Sequence, residues 1–238
     1  MQINITVLYP DLFNHYGDAG NVIVLTKRLE VRKIKVNLNM CNSACDIDLK
    51  NTDILYIGGA TDRSVAAVYR EIYSIKDKIK EYAENSGVIL AVCTGFEMLG
   101  KSFETESEKF EGLGVLSIHA TKGSKRLIGN IVTKSETLGF DIVGFENHIG
   151  RISLAGHTPL GSVVCGYGNT DAKDTEGVIY KNVIGTYIHG PVLPKNPMLA
   201  DYILKCALGK KYGETNLESI DDEIETIAHN YVKEKYVK

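Results

Sequence analysis

The stretch Val88-Ile89-Leu90-Ala91-Val92-Cys93-Thr94-Gly95-Phe96-Glu97-Met98-Leu99-Gly100 constrains this chain most, because an apolar run stops at a thiol and turns at once into a helical pattern. Five consecutive apolar residues rich in β-branched types, entered through Asn85-Ser86-Gly87, predict a central parallel strand covered on both faces. Cys93 then falls at the strand's carboxyl end. Gly95 predicts a tight turn, and the spacing of Phe96, Leu99 and Gly100 predicts a helix packing back onto the sheet. A thiol placed there faces free helix amides, whose partial positive charge favours thiolate. This is the logic of a nucleophile elbow, with sulfur in place of the serine oxygen. Taken alone, the segment also fits a small buried hydrophobe.

The pattern before it is that of an α/β sheet. Residues 3–9 predict a strand, Tyr9 to Asp18 a loop, 21–33 a helix, 34–38 a short strand and 53–60 a second buried strand ending in Gly58-Gly59. Val65, Val68, Ile72, Ile75, Ile79 and Tyr82 recur at helical spacing and predict one helix over 64–85. Both glycine pair and cysteine fall at the carboxyl edge of the predicted sheet, where open α/β sheets bind ligands. Beyond residue 112, short apolar segments between glycines predict antiparallel strands continuous with the first sheet, followed by helices over 198–208 and 220–236. The expected fold class is α/β, with a mixed, largely parallel central sheet flanked by helices and antiparallel additions in the second half. No Pro/Ser-rich linker divides the halves, so residues 1–238 are expected to form one domain.

Composition narrows the function. A net charge of −3 without basic blocks gives no basis for charge-driven binding to nucleic acid or membrane. No apolar segment reaches membrane-spanning length and no leader pattern precedes residue 7, so a cytoplasmic protein is expected. The five scattered cysteines argue against a disulfide framework, and Cys41-x3-Cys45 without further ligands predicts no metal site. No phosphate loop of the Gly-x4-Gly-Lys-[Ser/Thr] type is present.

A nucleophilic thiol needs a base within hydrogen-bond reach. Of six histidines, His189 ends the apolar run Val183 to Ile188 and is stopped by Gly190-Pro191, which would fix its ring; His148, read as lying on a polar loop, ranks second. His15 and His229 read as surface residues, His119 and His157 as structural ones. The backbone amides of Thr94 and Gly59 are candidates for an oxyanion hole.

Gly58-Gly59, Cys93-Thr94-Gly95-Phe96-Glu97 and Tyr187-Ile188-His189-Gly190, in this order, resemble class I glutamine amidotransferases of the branch related to cobyric acid synthase. With Tyr16-Gly17-Asp18-Ala19-Gly20-Asn21 and Gly144-Phe145-Glu146-Asn147-His148-Ile149-Gly150-Arg151, nearly the whole chain is similar to GatD-type subunits of lipid II isoglutaminyl synthase. The resemblance implies that Cys93 attacks the side-chain amide of L-glutamine, that His189 manages protons and that Arg126 holds the substrate. A guanidinium suits that last role because it grips a carboxylate bidentately. It also implies a heterodimer with a MurT-type, Mur-ligase-like partner. The partner would carry ATP and Mg, consume the ammonia and act on the membrane-bound lipid substrate; no cofactor is expected in this chain.

Two positions depart from the family pattern. Pro191 stands where many relatives have a glutamate that orients the histidine, leaving either a Cys93–His189 dyad or an orienter from elsewhere, Glu146 being the candidate. Glu97 stands at the usual glutamine of the elbow. The alternatives are cobalamin-pathway amidation, a decayed binding or regulatory module, and a cysteine peptidase of the same broad fold.

Overall fold

The computed structural model describes residues 1–237. The first half runs β1 (Gln2–Leu8), α1 (Gly20–Val31), β2 (Lys35–Cys41), β3 (Ile54–Ile57), α2 (Asp62–Ser74), α3 (Lys76–Glu84), β4 (Val88–Val92) and α4 (Thr94–Met98). All residues of β3 and β4 are buried, as an apolar run without alternation requires of a strand covered on both faces. The helix expected over 64–85 is two helices. Ser74 Oγ donates to the Glu71 carbonyl at 2.7 Å and Ile75 leaves the helical region at φ −104°, ψ 11°. Its apolar side chain stays buried, so the hydrophobic spacing runs through the break unmarked.

The second half comprises β5 (Ser102–Glu104), β6 (Lys109–Glu111), β7 (His119–Ser135), β8 (Phe140–Ser153), β9 (Gly161–Cys165), β10 (Thr175–Glu176), β11 (Val178–Tyr180), β12 (Val183–Thr186), β13 (Ile188–His189), α5 (Pro197–Tyr212) and α6 (Glu223–Tyr236). One sheet has the order β11-β12-β4-β3-β1-β2, parallel except for β11. The expectation that the later strands extend this sheet is corrected: only β11 and β12 join it. The others form a second sheet built on the long antiparallel pair β7 and β8. Glycines suggested turns in this region, but several lie within strands, where a side chain would collide. A Cβ on Gly144 would lie 2.2 Å from the Ile188 side chain.

The first sheet's carboxyl edge carries the loop after β1, the Gly58-Gly59 turn, the elbow after β4 and the exit from β12. There the chain changes sheets. Thr186 pairs with Val92 of β4, whereas Ile188 and His189 pair with Glu146 and Phe145 of β8. The buried Glu176 carboxyl fills the resulting gap in the ladder, accepting the Tyr187 amide at 2.6 Å and the Thr186 hydroxyl at 3.0 Å. Away from this edge, Arg28 of α1 and Arg32, which follows that helix, share Asp201 of α5, and Arg28 also reaches Asp222, which precedes α6.

Candidate active site

Cys93 adopts φ 52°, ψ −115°, a conformation sparsely populated by non-glycine residues. Its amide donates to the Thr186 carbonyl at 2.8 Å and its carbonyl accepts from the Glu97 amide at 3.0 Å, so the residue is held between sheet and helix. The positive φ falls on the candidate nucleophile itself. Gly95, expected to make the turn, is helical; it is needed because a Cβ there would lie 2.5 Å from the Ile57 carbonyl and 2.8 Å from that of Gly58. Strand β3 and the elbow could not otherwise approach.

The expected preference for thiolate is also corrected. Helix α4 has only five residues, too short for a substantial dipole, and Cys93 is buried. Burial pushes its pKa up, and the neighbouring Glu97 and Asp18 carboxyls push it further; only the Thr94 amide and hydroxyl pull it back. The resting sulfur is a thiol.

His189 is 1% exposed, and neither ring nitrogen has a hydrogen-bond partner. Burial is the main reason its pKa falls to about 4, so the imidazole is neutral and able to accept a proton. The carboxylate beside it is Asp18, whose Oδ2 lies 3.9 Å from His189 Nδ1. This oxygen also accepts the Gly59 amide at 3.2 Å. A Cβ built on Gly59 would lie 3.1 Å from it and 3.3 Å from Cys93 Cβ, so the Asp18 carboxyl stands beside the imidazole on one side and, across the Gly59 turn, beside Cys93 on the other. Burial lifts Asp18 to about 7, with the Gly59 and Gly190 amides opposing the rise. Of the two oxyanion candidates, the Thr94 amide faces the sulfur, whereas the Gly59 amide is engaged by Asp18.

Glu146 lies elsewhere. Its carboxylate accepts the Tyr167 and Gly168 amides at 2.7 and 2.9 Å and faces His148 Nε2 at 3.5 Å. His148 is in β8, buried, rather than on a loop; Nδ1 donates to the Gly150 carbonyl at 3.0 Å and the ring stacks on Tyr187 at 3.7 Å.

The Cys93 corner opens into a cleft of about 350 Å³ whose lining includes His15, Tyr16, Glu97, Glu106 and Arg126. Arg126 lies in the irregular stretch between Lys122 and Leu127, where the pairing of β7 with β8 shifts register. Its guanidinium is half-exposed, paired with Glu106 at 3.2 Å and near Asn147 Oδ1 at 3.4 Å, leaving donors for an incoming carboxylate.

Asp18 was legible only as a loop polar residue ahead of a helix; nothing in the sequence links it to His189. His15, read as a surface residue, instead lines the cleft, its pKa lowered by burial and by Arg126. Tyr16, at φ 59°, sets its ring edge against His189 with centroids 4.8 Å apart. Among the described residues no group of three or more His, Cys, Asp or Glu is arranged to hold a metal ion.

Comparison with known proteins gives the family. Residues 4–197 match the CobB/CobQ-like glutamine amidotransferase domain. The chain is 42% identical over 216 residues to the lipid II isoglutaminyl synthase (glutamine-hydrolyzing) subunit GatD of Staphylococcus aureus, covering 90% of this chain and 88% of that protein. It is 39% identical to the subunit of the same name from Streptococcus pneumoniae, covering 90% and 83%. A cobyric acid synthase of Listeria innocua is 33% identical over 60% of this chain but only 29% of its own length. Among solved structures, a glutamine amidotransferase superposes with a TM-score of 0.57 at 19% identity, over 85% of this chain and 98% of that one. The glutaminase domain of Trypanosoma brucei CTPS with bound acivicin gives 0.57 at 11% identity, over 91% and 98%; at these identities the likeness shows the fold alone. On the match across residues 4–197 and identities of 42% and 39% along most of its length, the chain belongs to the CobB/CobQ-like glutamine amidotransferases, in the branch of the GatD-type subunits.

Proposed function

We propose that residues 1–238 act as one glutaminase unit that hydrolyses L-glutamine through a thioester on Cys93 and supplies ammonia to a MurT-type ligase. The observation that supports this reading is Asp18, which stands beside His189 and, across the Gly59 turn, beside Cys93, in a corner whose cleft is lined by both Cys93 and Arg126. Arg126 would exchange Glu106 for the substrate α-carboxylate and set the side-chain amide over the sulfur. His189 takes the thiol proton as sulfur bonds to the amide carbon, and Asp18 stabilises the imidazolium. The Thr94 amide meets the developing oxyanion; the Gly59 amide would join it by releasing Asp18. Collapse breaks the C–N bond, the imidazolium proton leaves with ammonia, and water then releases glutamate and restores the thiol.

The ammonia would be consumed at the α-carboxyl of D-glutamate in lipid II, activated by ATP and Mg on the partner, in a cytoplasmic heterodimer serving cell-wall synthesis. Support comes from the relatives named as isoglutaminyl synthase subunits, which this chain matches over most of their length. Among the described residues no helix is long and apolar enough to cross a membrane, so access to a lipid substrate falls to the partner. Cobalamin-pathway amidation is supported less, because the chain spans only 29% of the cobyric acid synthase it resembles. Glutamate release is measured with the partner present for wild type and Cys93→Ala; the variant is expected to be inactive, and equal rates would reject the assignment.

A further inference from the structure

Glu97 is a buried carboxyl that lines the cleft beside Cys93 and has no part in the steps above. Its amide bonds to the Cys93 carbonyl at 3.0 Å, placing it one helical turn from the nucleophile. The Tyr187 hydroxyl donates to Oε1 at 2.8 Å. On the other side the carboxyl presses on Gly150, where a Cβ would lie 1.9 Å from Oε1 and 2.5 Å from the Tyr187 oxygen. Gly150 is itself fixed, its carbonyl accepting from His148 Nδ1 and Arg151 Nη1, both at 3.0 Å. Glu97 is therefore held in place at the cleft wall, where a charge formed on it acts on the sulfur.

We propose that Glu97 is a positioning residue that gates the nucleophile by its own protonation: as a carboxylic acid it permits Cys93 to ionise, and as a carboxylate it holds the sulfur as a thiol. This rests on the reading of Cys93 as nucleophile. Glu97 exchanges its proton with solvent, whereas the thiol proton goes to His189 in either state. The groups acting on Glu97 are Cys93 at the end of β4, Tyr187 between β12 and β13, Asp62 of α2 and Arg126 of β7, with His148 of β8 lining the same cleft; Asp18, ahead of α1, acts on the same thiol. Burial pushes the Glu97 carboxyl up to about 7; the Tyr187 hydrogen bond opposes this, Asp62 adds to it and Arg126 opposes it. Ionisation thus falls in the working range, and the charge it creates raises the thiol pKa. A glutamine at this position would be neutral at every pH.

The test is alkylation of Cys93 by iodoacetamide, read by peptide mapping from about pH 5.5 to 8.5, in wild type, Glu97→Gln and Tyr187→Phe. A thiol whose pKa is fixed above this range gains about tenfold in rate per pH unit. Wild type is expected to follow that slope below about pH 6.5 and to flatten around pH 7 as Glu97 charges, together with Asp18, which also raises the Cys93 thiol. Glu97→Gln keeps only the Asp18 share of the flattening, matching wild type at about pH 6 and exceeding it roughly threefold to fivefold at pH 8, for a coupling of about half to one pK unit. Tyr187→Phe removes a hydrogen bond to the carboxylate and moves the flattening to higher pH, which keeps the proposal testable should Glu97→Gln fold poorly. Parallel profiles for wild type and Glu97→Gln, or an unmoved inflection in Tyr187→Phe, would overturn it. The readout needs no glutamine, so this profile without glutaminase activity would reject the proposed function and keep the gate.

Discussion

Replacing Cys93 by glycine should leave a more stable protein than replacing it by alanine. Both variants lose the sulfur, so its contacts cancel. Alanine keeps a Cβ at φ 52°, ψ −115°, where a non-glycine residue costs about 1–3 kcal/mol. Glycine removes that cost, adds about 0.5–1 kcal/mol of backbone entropy loss on folding and gives up one buried carbon worth about 0.8 kcal/mol. Near the middle of these ranges, glycine is ahead by about 0.5 kcal/mol, and by about 1.5 kcal/mol at the upper end of the strain. For 238 residues the unfolding entropy near Tm is about 0.5 kcal/mol/K, so the difference appears as roughly 1–3 °C. Scanning calorimetry and urea midpoints on the two variants measure it. An alanine variant as stable as the glycine one would refute the reasoning that the elbow stores strain at position 93.

Asp18→Asn preserves shape but removes the charge beside His189; kcat for glutamine hydrolysis is expected to fall on the order of a hundredfold with KM within about twofold. Glu146→Gln, measured alongside, should change kcat far less, and the reverse outcome would make Glu146 the orienter. Glu176→Gln tests the buried carboxyl at the sheet crossing, which burial lifts from its ordinary 4.5 to about 8. Because the folded-state value is raised, the stability it contributes is full below about pH 4.5 and is lost as pH rises through about 8, the unfolded chain releasing its proton first. The variant should match wild type near about pH 5 in urea unfolding and exceed it by on the order of a few kcal/mol at pH 8 to 9. Parallel pH dependences would contradict this.

The parallel core was legible because β3 and β4 are buried on both faces and contain no alternation to confuse them with surface strands. Cys93 and His189 were legible as strand ends, and Arg126 through the resemblance. Three features were not. Val183 to Ile188 reads as one apolar strand, yet it belongs to two sheets, because the Glu176 carboxyl satisfies the amide freed at Tyr187. In β8, glycine signals close packing against Ile188 and Glu97, a long-range cause with no local trace. Asp18 meets His189 across 171 positions, and its oxygen is held by the amide of Gly59, a third distant segment.

The central claim is that Cys93 is the sulfur that takes the glutamyl group. Treating the chain with its partner ligase with a glutamine-like electrophile, then mapping the adduct by peptide mass, tests it most directly. The account predicts one adduct on Cys93, slowed by L-glutamine and lost in His189→Ala; labelling of another cysteine, or of none while glutamine is still hydrolysed, would contradict it.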